Sequence, residues 1–134
     1  MITGLVAKLV SDATISGLIG SRCYINKAPQ AAKLPYLVLT QLDSEEYVTL
    51  DATTSNLRNL TIDIDCKGRT FIECETLTNA VKALLKDYSG AAGSYTIGAS
   101  FFNSEVHDYE PAADGGDAGI FVITLDFDFQ YNPQ

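Results

Sequence analysis

The residues LTIDIDCK (60–67), followed after a short break by TFIECETLTNAVKALLKDY (70–88), decide how this chain folds. In the first stretch Leu60, Ile62, Ile64 and Cys66 alternate with Thr61, Asp63, Asp65 and Lys67. A period of two puts the apolar set on one side, so this is a half-buried strand with an acidic outer face. In the second stretch the period changes. Thr70-x-x-Glu73 has the spacing of a capping box, and Cys74, Leu77, Val81, Leu84 and Tyr88 then fall along one face of a helix. Gly90 and Gly93 are placed to end it. A strand running directly into an amphipathic helix points to a layered α+β fold.

Working outward, Tyr36–Leu42 (YLVLTQL) is a second strand, rich in β-branched and aromatic residues. Residues 2–10 read as an amphipathic helix carrying Ile2, Leu5, Val6, Leu9 and Val10. Asp12 can cap a second short turn that carries Ile15, Leu18 and Ile19. Residues 21–34 form an ordered connection in which Pro29 and Pro35 hold the residues before them extended. Asp43–Asn56 (DSEEYVTLDATTSN) is polar and leaves two readings open, a mobile loop or a hairpin arm. The C-terminal part is a long hairpin whose first arm runs from about Tyr95 to Tyr109, with Phe101-Phe102 breaking the alternation as a bulge does. In the second arm Phe121, Ile123, Leu125, Phe127 and Phe129 share one face, and Val122, Thr124, Asp126, Asp128 and Gln130 share the other. The order α-β-β-α-β-β predicts a mostly antiparallel four-stranded sheet with two helices on one face. At 134 residues, the expectation is a single domain over 1–134.

Composition narrows the function. The formal charge is −8, and it is unevenly placed. Residues 1–86 hold all 9 Lys and Arg with 9 acids, whereas residues 87–134 hold 8 acids and no base. A grip on nucleic acid by the C-terminal half is disfavoured, because backbone binding needs Lys and Arg to displace counterions. No apolar run approaches the roughly 20 residues of a membrane span, and the apolar N-terminus lacks the basic start of a signal peptide. Cys23, Cys66 and Cys74, odd in number and without CxxC spacing, suit buried reduced thiols and synthesis inside the cell.

Catalytic and metal motifs are missing. His107 beside Asp108 could be an oriented base, but no nucleophile motif accompanies it and surface decoration is the simpler reading. GLIGS (17–21) lacks dinucleotide-site spacing, and the cysteines form no zinc set. Asp114-Gly-Gly-Asp117 with Asp108 and Glu110 lacks the ordered acids of a calcium loop and reads as a solvated turn. No cofactor is implied. The outward acids Asp63, Asp65, Asp126 and Asp128 stand out, because Lys67 is the only base at an outward position of either strand. If the two strands are neighbours, these acids share a face. Either that face is simply solvated, or it is a dedicated surface.

The connection carries a further signal: Arg22-x-Tyr24, then Pro29-Gln30, then Pro35-Tyr36-x-Val38. With the strand at Leu60–Cys66 and the helix at Thr70–Tyr88, it resembles the phage tail-terminator (tail-to-head joining) family over nearly the whole chain. Cys23 departs from the branched aliphatic residue of that pattern, and free cysteine packs as a small hydrophobe. The resemblance implies a structural, non-enzymatic virion protein of the tail or neck, made in the cytoplasm of a bacterial host. It would form a ring, typically hexameric, that ends tube polymerisation and joins tail to head while DNA passes through. The implied partners are further copies of the chain, the tail tube protein and the head-tail connector, with no membrane. Under that reading Asp63, Asp65, Asp126 and Asp128 are candidates to face a DNA-conducting lumen. Glu45, Glu46, Tyr47, Val48 and Leu50 are candidates for an assembly arm that orders in the ring. The competing readings are a head-completion or neck adaptor and a small ligand-binding α+β domain.

Overall fold

A computed structural model describes residues 1–29, 32–48, 54–111 and 119–133. Its elements are α1 (Ile2–Ser11), α2 (Ala13–Ile19), β1 (Cys23–Ile25), β2 (Tyr36–Val48), β3 (Thr54–Gly68), α3 (Phe71–Leu85), β4 (Gly90–Ala92), β5 (Tyr95–Glu110) and β6 (Ile120–Pro133). The class is α+β, as the periodicities predict. The sheet is larger than the predicted four strands: six strands lie in the order β1-β2-β3-β6-β5-β4. It is also mixed, because β1 runs parallel to β2 while β2–β3, β3–β6, β6–β5 and β5–β4 are antiparallel. The two added strands are three residues each and sit at the two edges.

The helices form where their start signals lie. Asp12 accepts a hydrogen bond from Ile15 N at 3.1 Å and separates α1 from α2, so the N-terminal segment holds two helices and the chain three. At α3, Thr70 Oγ1 accepts from Glu73 N at 3.1 Å, and Glu73 Oε1 accepts from Arg69 N at 2.9 Å. The box therefore closes on the residue before the cap. The helix stops at Leu85, ahead of the glycines, with Asp87 at φ +60° taking the left-handed position. Gly90 instead opens β4.

One apolar core joins the layers. Leu5, Leu9, Ile15 and Ile19 from α1 and α2 and Cys74, Leu77, Val81 and Leu85 from α3 cover Leu37, Leu39, Ile62, Ile64, Leu125 and Phe127 of the sheet. Helix α1 touches β1 and β2 near one edge and β4 at the other. Ten residues of helix span about 15 Å, whereas six flat strands would cover about 24 Å. Contact with both edges thus requires the sheet to curl around the helix.

The segment read as a loop or an arm is a hairpin arm. Strand β2 runs on to Val48, and β3 begins at Thr54, with Glu46 opposite Arg58 and Val48 opposite Thr54. The bulge expected near Phe101-Phe102 is present as a register shift between Phe102 and Ser104.

An acidic sheet face as the candidate functional site

Strands β3 and β6 are direct neighbours at the centre of the sheet, with Asp63 opposite Asp126, Asp65 opposite Thr124, and Thr61 opposite Asp128. Alternation turns their apolar partners, Ile62, Ile64, Leu125 and Phe127, into the core, which leaves the four aspartates on one outer face. Three of them have a hydrogen-bond donor. Thr61 Oγ1 donates to Asp128 Oδ1 at 2.6 Å, Thr124 Oγ1 donates to Asp65 Oδ1 at 2.7 Å, and Asn103 Nδ2 donates to Asp126 Oδ1 at 3.2 Å. Asp63 differs. Partial burial, and after it the charges of Asp126 and Asp65, push its carboxyl above the usual carboxylate range. On β2, Asp43 lies in register beside Thr61 and extends the acidic run. At the far end Lys67 pairs with Glu110 at 3.4 Å and lies over the Tyr36 ring.

A carboxyl whose folded pKa is raised favours the folded state while protonated, below the unfolded value of 3.8, and loses that contribution as pH rises through the higher folded value. At neutral pH the Asp63 charge therefore costs stability. Asp63→Asn keeps the shape and removes the charge. It should raise stability at pH 7 by about 0.2–1 kcal/mol, the scale of a like-charge cross-strand pair. The advantage should shrink as pH falls towards 4 in thermal melts; a variant less stable than the parent at pH 7 contradicts the assignment.

His107 does not pair with Asp108. Neighbours along a strand point to opposite faces, so His107 shares a face with Glu105, and Nε2 meets Glu105 Oε2 at 2.6 Å. Glu105 also accepts from Lys82 Nζ of α3 at 2.8 Å, and these two partners, His107 first, hold its carboxyl below the usual range. Asp108 instead accepts from Tyr109 N. The triad of Lys82, Glu105 and His107, with the Phe71 ring tilted against the imidazole at 5.8 Å between centroids, ties the β5–β6 hairpin to α3. The Asp114–Asp117 turn lies outside the described residues. Among the described residues no group of three or more His, Cys, Asp or Glu is placed to hold a metal ion. Burial pushes the Cys23 thiol up to about 12 and the Cys74 thiol to about 11, and Cys66 rises in the same direction.

The connection residues are structural in geometry. Arg22 Nε donates to Pro35 O at 3.1 Å and Nη2 to Leu18 O at 3.4 Å, which clamps the end of α2 to the start of β2. Tyr24 packs edge-on against Tyr36 at 5.7 Å. Pro29 O accepts from Ala32 N; Gln30 lies outside the described residues. Of the candidate arm residues, Glu45, Glu46, Tyr47 and Val48 are in β2, and Leu50 lies outside the described residues.

The sequence profile of the tail completion protein gp17 family matches residues 3–131. No curated protein sequence matches the chain. Among solved structures, a chain in the virion of a native gene transfer agent particle shares the fold, with a TM-score of 0.63 at 16% identity, over 93% of this chain and 89% of that one.

Proposed function

Because the chain belongs to the tail completion protein gp17 family, we propose that it acts, as a single domain over residues 1–134, by closing copies of itself into a ring on the end of the tail tube. The family is one of structural phage tail proteins, which places the chain in the tail or neck of the virion. The family match over residues 3–131 carries the proposal. In this reading the ring is hexameric, ends tube polymerisation and joins the tail to the head connector, and the chain performs no catalysis. The fold shared with a chain of a gene transfer agent virion supports an assembly role.

The acidic face has a task in such a ring. DNA must pass without being held, and a wall of carboxylates repels phosphate over about 8 Å at physiological salt. Asp63, Asp65, Asp126 and Asp128 would line the lumen. A ring reconstruction that places them on the outer wall overturns that assignment. The β2–β3 hairpin, with Glu45, Glu46, Tyr47, Val48 and Leu50, would reach a neighbouring copy.

Light scattering after size exclusion tests the ring. The full chain should shift from monomer towards about six copies as concentration rises, as closed head-to-tail contacts require, and should cap purified tail tubes. Deleting Glu46–Thr54 should leave the monomer folded and abolish both. Capping by the deletion variant removes the arm from the mechanism. A strict monomer that binds head connectors and ignores tubes points instead to a neck adaptor.

A further inference from the structure

The two edges of the sheet are stepped, and the steps match. At one edge β1 covers only Leu37–Leu39 of β2, and among the described residues no strand pairs with the same side of Thr40–Val48. At the other edge β4 covers only Tyr95–Ile97 of β5, and no described strand covers Gly98–Glu110. Register across the sheet sets their heights. Leu37, Cys66, Ile123 and His107 form one row, and Leu39, Ile64, Leu125 and Glu105 form another. Strand β1, beside Leu37–Leu39, is therefore level with Glu105–His107 in the open part of β5. Likewise Ile97, Tyr131, Arg58 and Glu46 form a row, so β4 is level with the open part of β2. Each edge projects where the other recedes.

Directions match as well. Following the pairings, β5 runs opposite to β1, and β4 runs the same way as β2. Chemistry points the same way. Of the devices that blunt open edges, Thr40–Val48 and Gly98–Glu110 carry acids and bulges but neither Lys nor Pro. Among the described residues, the exposed large hydrophobics are Ile25 and Leu42 at one edge, Phe101, Val106 and Tyr109 on β5, and Phe71 and Ile72 at the start of α3. Five of these seven thus lie on β1, β2 or β5. Exposed Lys33 lies just before Tyr36, in the row that Lys67 and Val122 carry across to exposed Asp108 of β5. Two β5 edges would set like charges together, whereas a β1 edge against a β5 edge sets opposite ones.

We propose that the occupant of these edges is a second copy of the same chain, joined head to tail. Strand β1 of one copy pairs antiparallel with the Phe101–Glu110 part of β5 in the next, and β4 of that next copy pairs parallel with the open part of β2 in the first. The sheet then runs on from copy to copy, with the acidic faces of successive copies on the same side. The inference rests on the ring reading and names its interface.

Cross-linking tests it in the assembled full-length protein. In a Cys23→Ser background, Ile25→Cys is combined with Glu105→Cys or with His107→Cys, and Ile25→Cys with Glu75→Cys on the exposed side of α3 serves as the control. On mild oxidation one of the first two pairs should give a ladder of disulfide-linked oligomers, and the control should not. As a variant that needs no new cysteine, Val106→Lys changes a residue that is 57% exposed. It should keep the parental melting temperature and weaken assembly about tenfold or more by the edge-lysine effect. Rings of full mass with no ladder from either pair, or Val106→Lys rings of unchanged strength, overturn the edge pairing and leave these edges to another partner such as the tail tube. Absence of any oligomer in light scattering overturns the ring reading itself.

Discussion

Phe127→Ala should cost about 3–5 kcal/mol, the range for removing a fully buried aromatic side chain. Phe127 has no exposed surface. It lies opposite Ile62 on β3 and Phe102 on β5, stacks on Phe129 at 5.6 Å between ring centroids, and packs against Phe102 at 5.4 Å. Neighbours on two strands and the helices above hold that space open, so the structure cannot collapse into the vacancy. Domains of this size are stable by only about 5–15 kcal/mol, so the variant should lose about a fifth or more of its margin. Equilibrium denaturation with urea measures it, and a loss under about 1.5 kcal/mol contradicts the packing described, being the cost of a volume-conserving swap.

The second large effect concerns Gly4. A Cβ at this position would run into the carbonyl oxygen of Ala92 and lie 3.0 Å from its carbonyl carbon. On the other side of the contact Gly93, at φ +62°, would place a Cβ 2.9 Å from Gly4 Cα. Helix α1 and the β4 turn touch backbone to backbone, and backbone cannot swing aside as a side chain can. Gly4→Val should therefore destabilise by about 3 kcal/mol, the upper end of ordinary overpacking, despite the modest helix-propensity gain over glycine. Gly17→Ala is the contrast, because nothing lies within 4 Å of its added Cβ in α2. It should stabilise by about 0.5–1 kcal/mol, the ordinary helix preference for alanine. Thermal melts of both variants check the opposite signs; a neutral Gly4→Val contradicts the close approach.

What could be read in the chain and what could not divide along a physical line. Strands β3 and β6 are legible because each has one wet and one dry face, and that difference writes a period of two into the residues. Helix α3 is legible from its cap and its apolar stripe. Strand β1 is three residues, Cys23–Ile25, too short to show a period, and its parallel partner β2 is fixed by the Arg22 clamp. Strand β4 is Gly-Ala-Ala, with almost no side chain to carry a pattern. The arm at Asp43–Val48 pairs through backbone groups, which leave no mark on residue type. The acidic face was visible as positions, whereas the opposition of Asp63 to Asp126 and the donors Thr61 and Thr124 depend on which strands are neighbours. His107 shows the same limit: its adjacent acid is Asp108, but its partner is Glu105, two residues away on the same face.

Helix α1, in touch with strands near both edges of the curled sheet, has a consequence for number. In a closed assembly each copy fills a fixed share of a full turn, and that share is the angle between its two joining edges. In the ring proposed above, that angle would be set in part by α1, whose backbone meets the β4 turn at Gly4 and Gly93. Side chains that thicken or thin the layer between α1 and the sheet would open or close that angle. The number of copies in the proposed ring would then depend on the packing of an interior helix, far from the surfaces that meet.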